Sequence, residues 1–346
     1  MRNDRVNARA GRDAGFGLTE ALIACALTLV VVGAGLGALS GGLNLAGQTR
    51  VVSDANETMQ AAMGLMVRDF IQTGQGLPTG GIPIPSGGTA QPMTRPAPVG
   101  AGLTFPAAWT ALPAISPGGS LGPIVLGVAT DLVTLMYADP TLALNQYPLA
   151  AIAADGSSLT VDVRTSLAGP DGIHVGDVIL FTNALGNALQ TVTSTDAAQT
   201  VFFAAGDGLN LNQRNAPQGT LLNLRSTPTT FPPTTATRVT VVSYYVDVVT
   251  DPTLPRLVRQ VAAGQRLAVA LGTENLQFTY DLVDGLTNPT NVETPVAPFS
   301  PNQIRKANIF LTARSLDPDP SSGQFFRNSM ATEVGLRSLS FVDRYK

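Results

Sequence analysis

The chain has 346 residues, enough for one large or two modest domains, and only 13% of them are charged. A formal net charge of −3 with almost no lysine excludes the basic footprint by which proteins grip nucleic acid. Cys25 is the only cysteine, so an intramolecular disulfide is excluded and a cysteine-based metal site has no ligand set.

Residues 1–15 carry Arg2, Arg5, Arg9 and Arg12 against Asp4 and Asp13. That net +2 ahead of an apolar run holds the leading end in the cytoplasm by the positive-inside bias. Removing the leader takes the chain from −3 to −3 − 2 = −5. From Ala21 to Thr49 no side chain is charged, and the apolar part to about Leu45 exceeds the roughly 20 residues needed to cross a bilayer core. One carboxylate, Glu20, stands at the mouth of this run, where a charge beside lipid is costly unless it is used. The first portion, "ALIACALTLVVV", suits a helix in lipid. The next, "GAGLGALSGG", is rich in glycine, which costs about 1 kcal/mol relative to alanine in a helix interior and makes this the pliable portion.

From Arg50 the pattern becomes amphipathic. Val52, Ala55, Met59, Ala62, Met63, Met66 and Phe70 recur at spacings of three and four, with Asp54, Glu57, Arg68 and Asp69 off the stripe. The stripe is expected to seat this helix on a domain. A continuous helix from Phe16 to Gln72 would be roughly 85 Å long at 1.5 Å per residue. Residues 74–123 then hold 21 Gly or Pro and a single charge, Arg95, which predicts an extended, turn-filled segment packed over the surface or partly disordered. After it come strand-like runs, among them "IVLGV", "DLVTLMYAD", "DVILFTN", "RVTVVSYYVDVV", "RLVRQVA", "ENLQFTYDLV", "ANIFLTARS" and "VGLRSLSFV". Several alternate apolar and polar residues, as strands with one wet face do. The fold class expected is α+β: one long N-terminal helix, half membrane and half amphipathic, packed on a β-rich antiparallel head.

Four motifs point elsewhere. Gly33, Gly35 and Ala38 fit a dinucleotide-binding glycine pattern with Asp54 about 20 residues on, the layout of a nucleotide-dependent oxidoreductase. Against it, "LGALSGGLNLAGQ" has no wet face for a crossover helix, and no strand–helix alternation follows. Gly118, Ser120 and Gly122 match a nucleophile elbow, but they lie in the Gly/Pro segment, and the sole histidine, His174, leads into a strand. "DPDPSSG", with Asp317, Asp319, Ser321 and Gly323, resembles a calcium loop faintly; its glycine is one place late, Asn328 stands where a bidentate acid belongs, and turn chemistry accounts for it. Cys25, near the start of the apolar run rather than after it, is misplaced for a lipoprotein signal and reads as a small buried side chain.

The opening stretch Gly15-Phe16-x-Leu18-Thr19-Glu20, joined to a long apolar run, resembles the class III signal of type IV pilins and type II secretion pseudopilins. "ETMQAAMGLMVRDFIQTG" and the runs from "RVTVVSYYVDVV" to "VGLRSLSFV" resemble the PilW-type minor pilins in order and phrasing. The resemblance implies cleavage by a prepilin peptidase between Gly15 and Phe16, methylation of Phe16, and an assembly role for Glu20, which would meet the N-terminal amine of a neighbouring subunit. It divides the chain into a leader (1–15), a transmembrane and filament-core helix (16–49), an amphipathic helix (50–73), the Gly/Pro-rich segment (74–123) and a β-rich head (124–346). It further implies a non-enzymatic minor pilin with no cofactor or metal. Such a protein rests in the inner membrane with its head outside the cytoplasm, then joins other minor and major pilins in an initiation or tip complex at the cell surface. The alternatives are a type II secretion pseudopilin, and a secreted β-rich protein whose ordinary signal peptide is cut after Ala38-Leu39-Ser40.

Overall fold

The computed structural model describes residues 17–141, 149–161, 167, 172–196, 199–227, 232–319 and 322–339. One helix, α1 (Leu18–Gln72), runs 55 residues without a break, through all the glycines of its first half. Its end is set by Thr73, whose hydroxyl bonds back to the Asp69 carbonyl at 2.9 Å, and by Gly74 in the left-handed region (φ 81°), which turns the chain away.

The strands are β1 (Ile82–Pro83), β2 (Ala111–Leu112), β3 (Ile115–Ser116), β4 (Ile124–Val125), β5 (Val128–Ala129), β6 (Val133–Asp139), β7 (Leu149–Ile152), β8 (Ser158–Val161) and β9 (Val178–Asn183). They continue with β10 (Gly186–Thr191), β11 (Ser194–Thr195), β12 (Thr200–Phe202), β13 (Thr235–Asp247), β14 (Arg256–Val261), β15 (Arg266–Leu271), β16 (Thr273–Leu282), β17 (Ile304–Pro318) and β18 (Phe325–Gly335). Every recorded pairing is antiparallel. Strand β13 organises the seven-stranded sheet: β6 borders it along Arg238–Tyr244 on one edge, while β9 and then β14 take successive lengths of the other. A meander of β16, β17 and β18 forms a second sheet, and β11-β12-β8-β7 a smaller third.

The amphipathic half of α1 fits the expectation for its stripe. Ala55 is buried and Val52 half-buried, while Met59, Ala62, Met63, Met66 and Phe70 enter one core with Tyr244, Leu276, Phe278 and Leu311, where the Phe70 and Phe278 rings lie 5.8 Å apart. Beyond Gln72 the only helical turns among the described residues are short 3-10 turns.

The segment expected to lie extended or partly disordered does more than cover a surface. Its Ile82, Ile84, Met93, Phe105 and Leu112 fill a core of their own against β9, β10 and β13. Arg95, the one charge there, is only 3% exposed; it donates to the Pro117 carbonyl at 2.9 Å and to the Ser116 carbonyl, and lies over the Phe105 ring at 5.2 Å. Burial lowers the Arg95 guanidinium to about 10, partly opposed by Tyr280, so it is still a cation at neutral pH. The run "IVLGV" is a two-residue hairpin rather than a strand, because Leu126 and Gly127 both adopt φ above zero (50° and 84°). Of the strand expected over "VGLRSLSFV", the described part leaves the sheet at Gly335 for a 3-10 turn at Arg337–Leu339, and its last three residues lie outside the described residues; the paired strand is the preceding β18, whose Arg, Asn, Ser and Thr residues hide its period.

The register fixes which loops share an end. Asn56 of α1 touches Asn328 near the start of β18 at 2.8 Å, while Gly74 and Gln75 just past α1 bond to Met136 and Ala138 at the far end of β6. Strand β6 therefore runs toward the end of the head where α1 stops. By the antiparallel pairing, the β4–β5 hairpin, the loop after β13, the end of β15 and the β17–β18 connection all gather at the end where α1 leaves.

Candidate functional site

Two features of α1 carry the chemistry: a bare apolar length and a buried carboxylate. From Leu18 to Leu45 every residue is exposed around the whole circumference, with Leu18 at 82% and Leu29 at 73%. A helix apolar on all faces needs a lipid or protein environment to cover it. This is the one helix among the described residues long and apolar enough to cross a membrane, a test that a secretory signal near an N-terminus also passes. Gly33, Gly35, Gly37, Gly41 and Gly42 have nothing near where a Cβ would project, so in the single chain no packing explains them. Cys25, expected as a buried small residue, is exposed on this same length.

Glu20 sits in the first turn. Its Oε2 accepts from the Gly17 backbone N–H at 3.3 Å, and the Glu20 and Ala21 N–H groups bond to the Gly17 carbonyl at 3.0 and 3.1 Å. This is one half of a capping box, since Gly17 has no side chain to return the bond. The first-turn carboxylate also faces the positive end of the helix dipole. Gly15 and Phe16, the cleavage and methylation positions, lie outside the described residues.

The second feature is Asp69, expected off the apolar stripe and found fully buried. Its Oδ2 accepts from Tyr244 Oη at 2.7 Å and from Arg259 Nε at 2.7 Å, and its Oδ1 from Tyr137 Oη at 3.2 Å. Burial pushes the Tyr244 and Tyr137 hydroxyls up, and the adjacent Asp69 charge pushes them further, so both stay protonated donors. Three strands, β6, β13 and β14, thus converge on one helix residue. The signal missed in the sequence is spacing: Asp69 follows Met66 by three and Ala62 by seven, which places it on the buried face.

The competing motifs are dispersed. Gly33, Gly35 and Ala38 lie inside α1, so their amides face helical carbonyls and form no strand-to-helix turn for a pyrophosphate. Asp54 pairs with Arg50 at 3.6 Å on the exposed face. Ser120 gives its N–H to Asp131 Oδ1 at 2.7 Å, while His174 stands 3.9 Å from Asp177, ahead of β9. Asp317, Asp319 and Gly323 lie at the β17–β18 connection, and Ser321 falls outside the described residues. No cluster of three His, Cys, Asp or Glu side chains suited to a metal occurs among the described residues. No family model, curated protein or solved structure matches the chain.

Proposed function

We propose that the chain is a minor pilin-like subunit that assembles through the bare half of α1, with no catalytic role of its own. The observation that carries this reading is the pairing of a fully exposed apolar helix with one carboxylate in its first turn, continuous with a half that is clamped into an antiparallel head. In the precursor the apolar length rests in the inner membrane with the head outside the cytoplasm. Cleavage after Gly15 by a prepilin peptidase creates an α-amine at Phe16, cationic at neutral pH. The Glu20 carboxylate of one subunit meets the amine of its neighbour, neutralising both charges where lipid or packed helices exclude water. Glu20 thereby sets axial register, and the apolar surface supplies adhesion to other minor and major pilins. A pseudopilin of a secretion machine would use the same chemistry; genome neighbours separate the two.

The first test is the intact mass and N-terminal sequence of protein from native cells. A chain that begins at methylated Phe16 supports prepilin processing. One that begins at Gly41 means that the apolar helix is a discarded signal, and the filament reading falls. Glu20→Val then isolates the carboxylate: insertion into the membrane is retained and incorporation into filaments is lost. Unchanged incorporation removes Glu20 from assembly.

A further inference from the structure

The end of the head from which α1 emerges is unusually apolar for a water-facing surface. Ile124 and Leu126 are each 72% exposed, and Val128, Val249, Leu271 and Leu316 join them there. Leu126 is the informative member. It occupies the first position of a two-residue hairpin turn at φ 50°, a place that Asn, Asp or Gly normally takes, and nothing in the head covers it. A leucine there is unfavourable for the backbone and for solvation, so it belongs against something apolar.

The helix supplies the scale. A cleft of about 450 Å³ is walled by Gly47, Arg50 and Asp54 of α1 on one side and by Leu271 and Leu316 on the other. The base of the head therefore stands beside helix residues 47–54, within about 3 to 14 Å of Leu45, where the apolar length ends, at 1.5 Å per residue. The polar layer on each side of a bilayer core is about 5–8 Å thick. Arg314 borders this cleft and also a second one lined by Ile124, Leu126 and Pro252, so the surface is continuous from the helix to the hairpin tip. Around it Arg50 stands with Asp54 and Arg314 with Glu274, and Asp317 adds a further carboxylate, which gives no net attraction to anionic lipid.

We infer that this face is a membrane-docking surface: before assembly the head rests on the outer surface of the bilayer that holds α1, with the Leu126 hairpin inserted among zwitterionic headgroups. The inference rests on the anchored-helix reading above. Docking at a second, remote point fixes the tilt and rotation of the head on its stalk, which a single helix leaves free.

The test uses the full chain in phosphatidylcholine vesicles, with an environment-sensitive fluorophore on single cysteines and a phosphatidylcholine spin-labelled high on its acyl chain as quencher. Native Cys25 reports the helix; in a Cys25→Ser background, Leu126→Cys reports the hairpin and Leu286→Cys the opposite end of the head. Docking gives blue-shifted, lipid-quenched emission at 25 and 126, unchanged in high salt, and water-like, unquenched emission at 286. Quenching at 25 with water-like emission at 126 leaves the anchored helix standing and overturns the docking. Blue-shifted but unquenched emission at 126 means that protein, such as a second copy, covers the hairpin, and also overturns it. No quenching at 25 removes the anchored helix and the docking together. Ile124→Cys reads the same surface should Leu126→Cys fail to fold.

Discussion

Asp69 on α1 and Arg259 on β14 meet at 2.7 Å across the junction between helix and head, from positions 190 residues apart in the chain. Among the described residues each is the other's only opposite charge that combines contact distance with burial: Arg68 approaches Asp69 at 3.8 Å from an exposed position. The pair is a register pin for the helix, because sliding or rotating α1 by one residue would put an uncompensated carboxylate into the core.

Asp69→Asn keeps the shape and removes the charge, leaving Arg259 part-buried without its partner. Breaking a buried pair from one side costs about 3–5 kcal/mol. We expect the urea midpoint of the full chain in detergent to fall accordingly, with Asp69→Ala at least as damaging. Replacing both members with apolar residues, Asp69→Leu with Arg259→Met, should restore part of the loss, since no unpaired charge remains. A double variant no better than Asp69→Asn would show that the two tyrosines, rather than the ion pair, hold the helix.

Gly219 and Gly206 both have positive φ (72° and 85°), yet their surroundings differ. A Cβ on Gly219 would stand 2.2 Å from the Ile84 carbonyl carbon, whereas one on Gly206 would meet nothing within 4 Å. Gly206→Ala should therefore cost about 1 kcal/mol, the backbone penalty alone. Gly219→Ala adds a clash with backbone, worth a further 1–3 kcal/mol or so by analogy with overpacking. It should loosen Ile84 from the core of the Gly/Pro-rich segment, which limited proteolysis near residue 84 would detect.

Acid should weaken the head through Asp247. Burial pushes this carboxyl up, but bonds from the Thr250 hydroxyl at 2.7 Å, Arg256 at 2.8 Å and the Val249 N–H at 3.0 Å outweigh it and hold it below the usual carboxylate range. A carboxyl lowered in the folded state stabilises fully above its unfolded value, about 3.9, and that stabilisation is lost as pH falls through the lower native value. Denaturant midpoints taken between pH 5 and pH 2 should drop, and the drop should be shallower in Asp247→Asn. An equal slope in the variant would assign the acid sensitivity to other carboxylates.

The long helix was legible because its two halves announce themselves by different rules: an uncharged run, then apolar residues every three or four positions. Met59, Met66 and Phe70 needed nothing beyond that period. Asp69 was legible in principle from the same period, but a charge is ordinarily assigned to the wet face, and its partners Tyr137, Tyr244 and Arg259 are distant in sequence. Strands β16 and β17 alternate apolar and polar residues over most of their length, whereas β13 does so only in its first half, its last seven residues all being buried. Strand β18 is recognisable only from its neighbour, because its inward positions hold Asn328 and Thr332 as well as Met330 and Val334. The Gly/Pro-rich segment hid its contribution for a different reason. Its buried residues Ile82, Met93 and Phe105 are spaced by turns rather than by any repeat, so their convergence depends on tertiary folding.

The clamped length of α1, from Ala55 to Phe70, also decides how the head bears load. It spans about 24 Å at 1.5 Å per residue and runs along the head rather than into it. Traction along the axis is met in shear, with Ala55, Met59, Met66 and Phe70 forced to slide together. A sideways pull instead opens the contact like a zipper from Ala55, and reaches the Asp69–Arg259 pair last. Extraction from a membrane or extension of a filament would load the subunit in its strong direction, and bending of the stalk in its weak one.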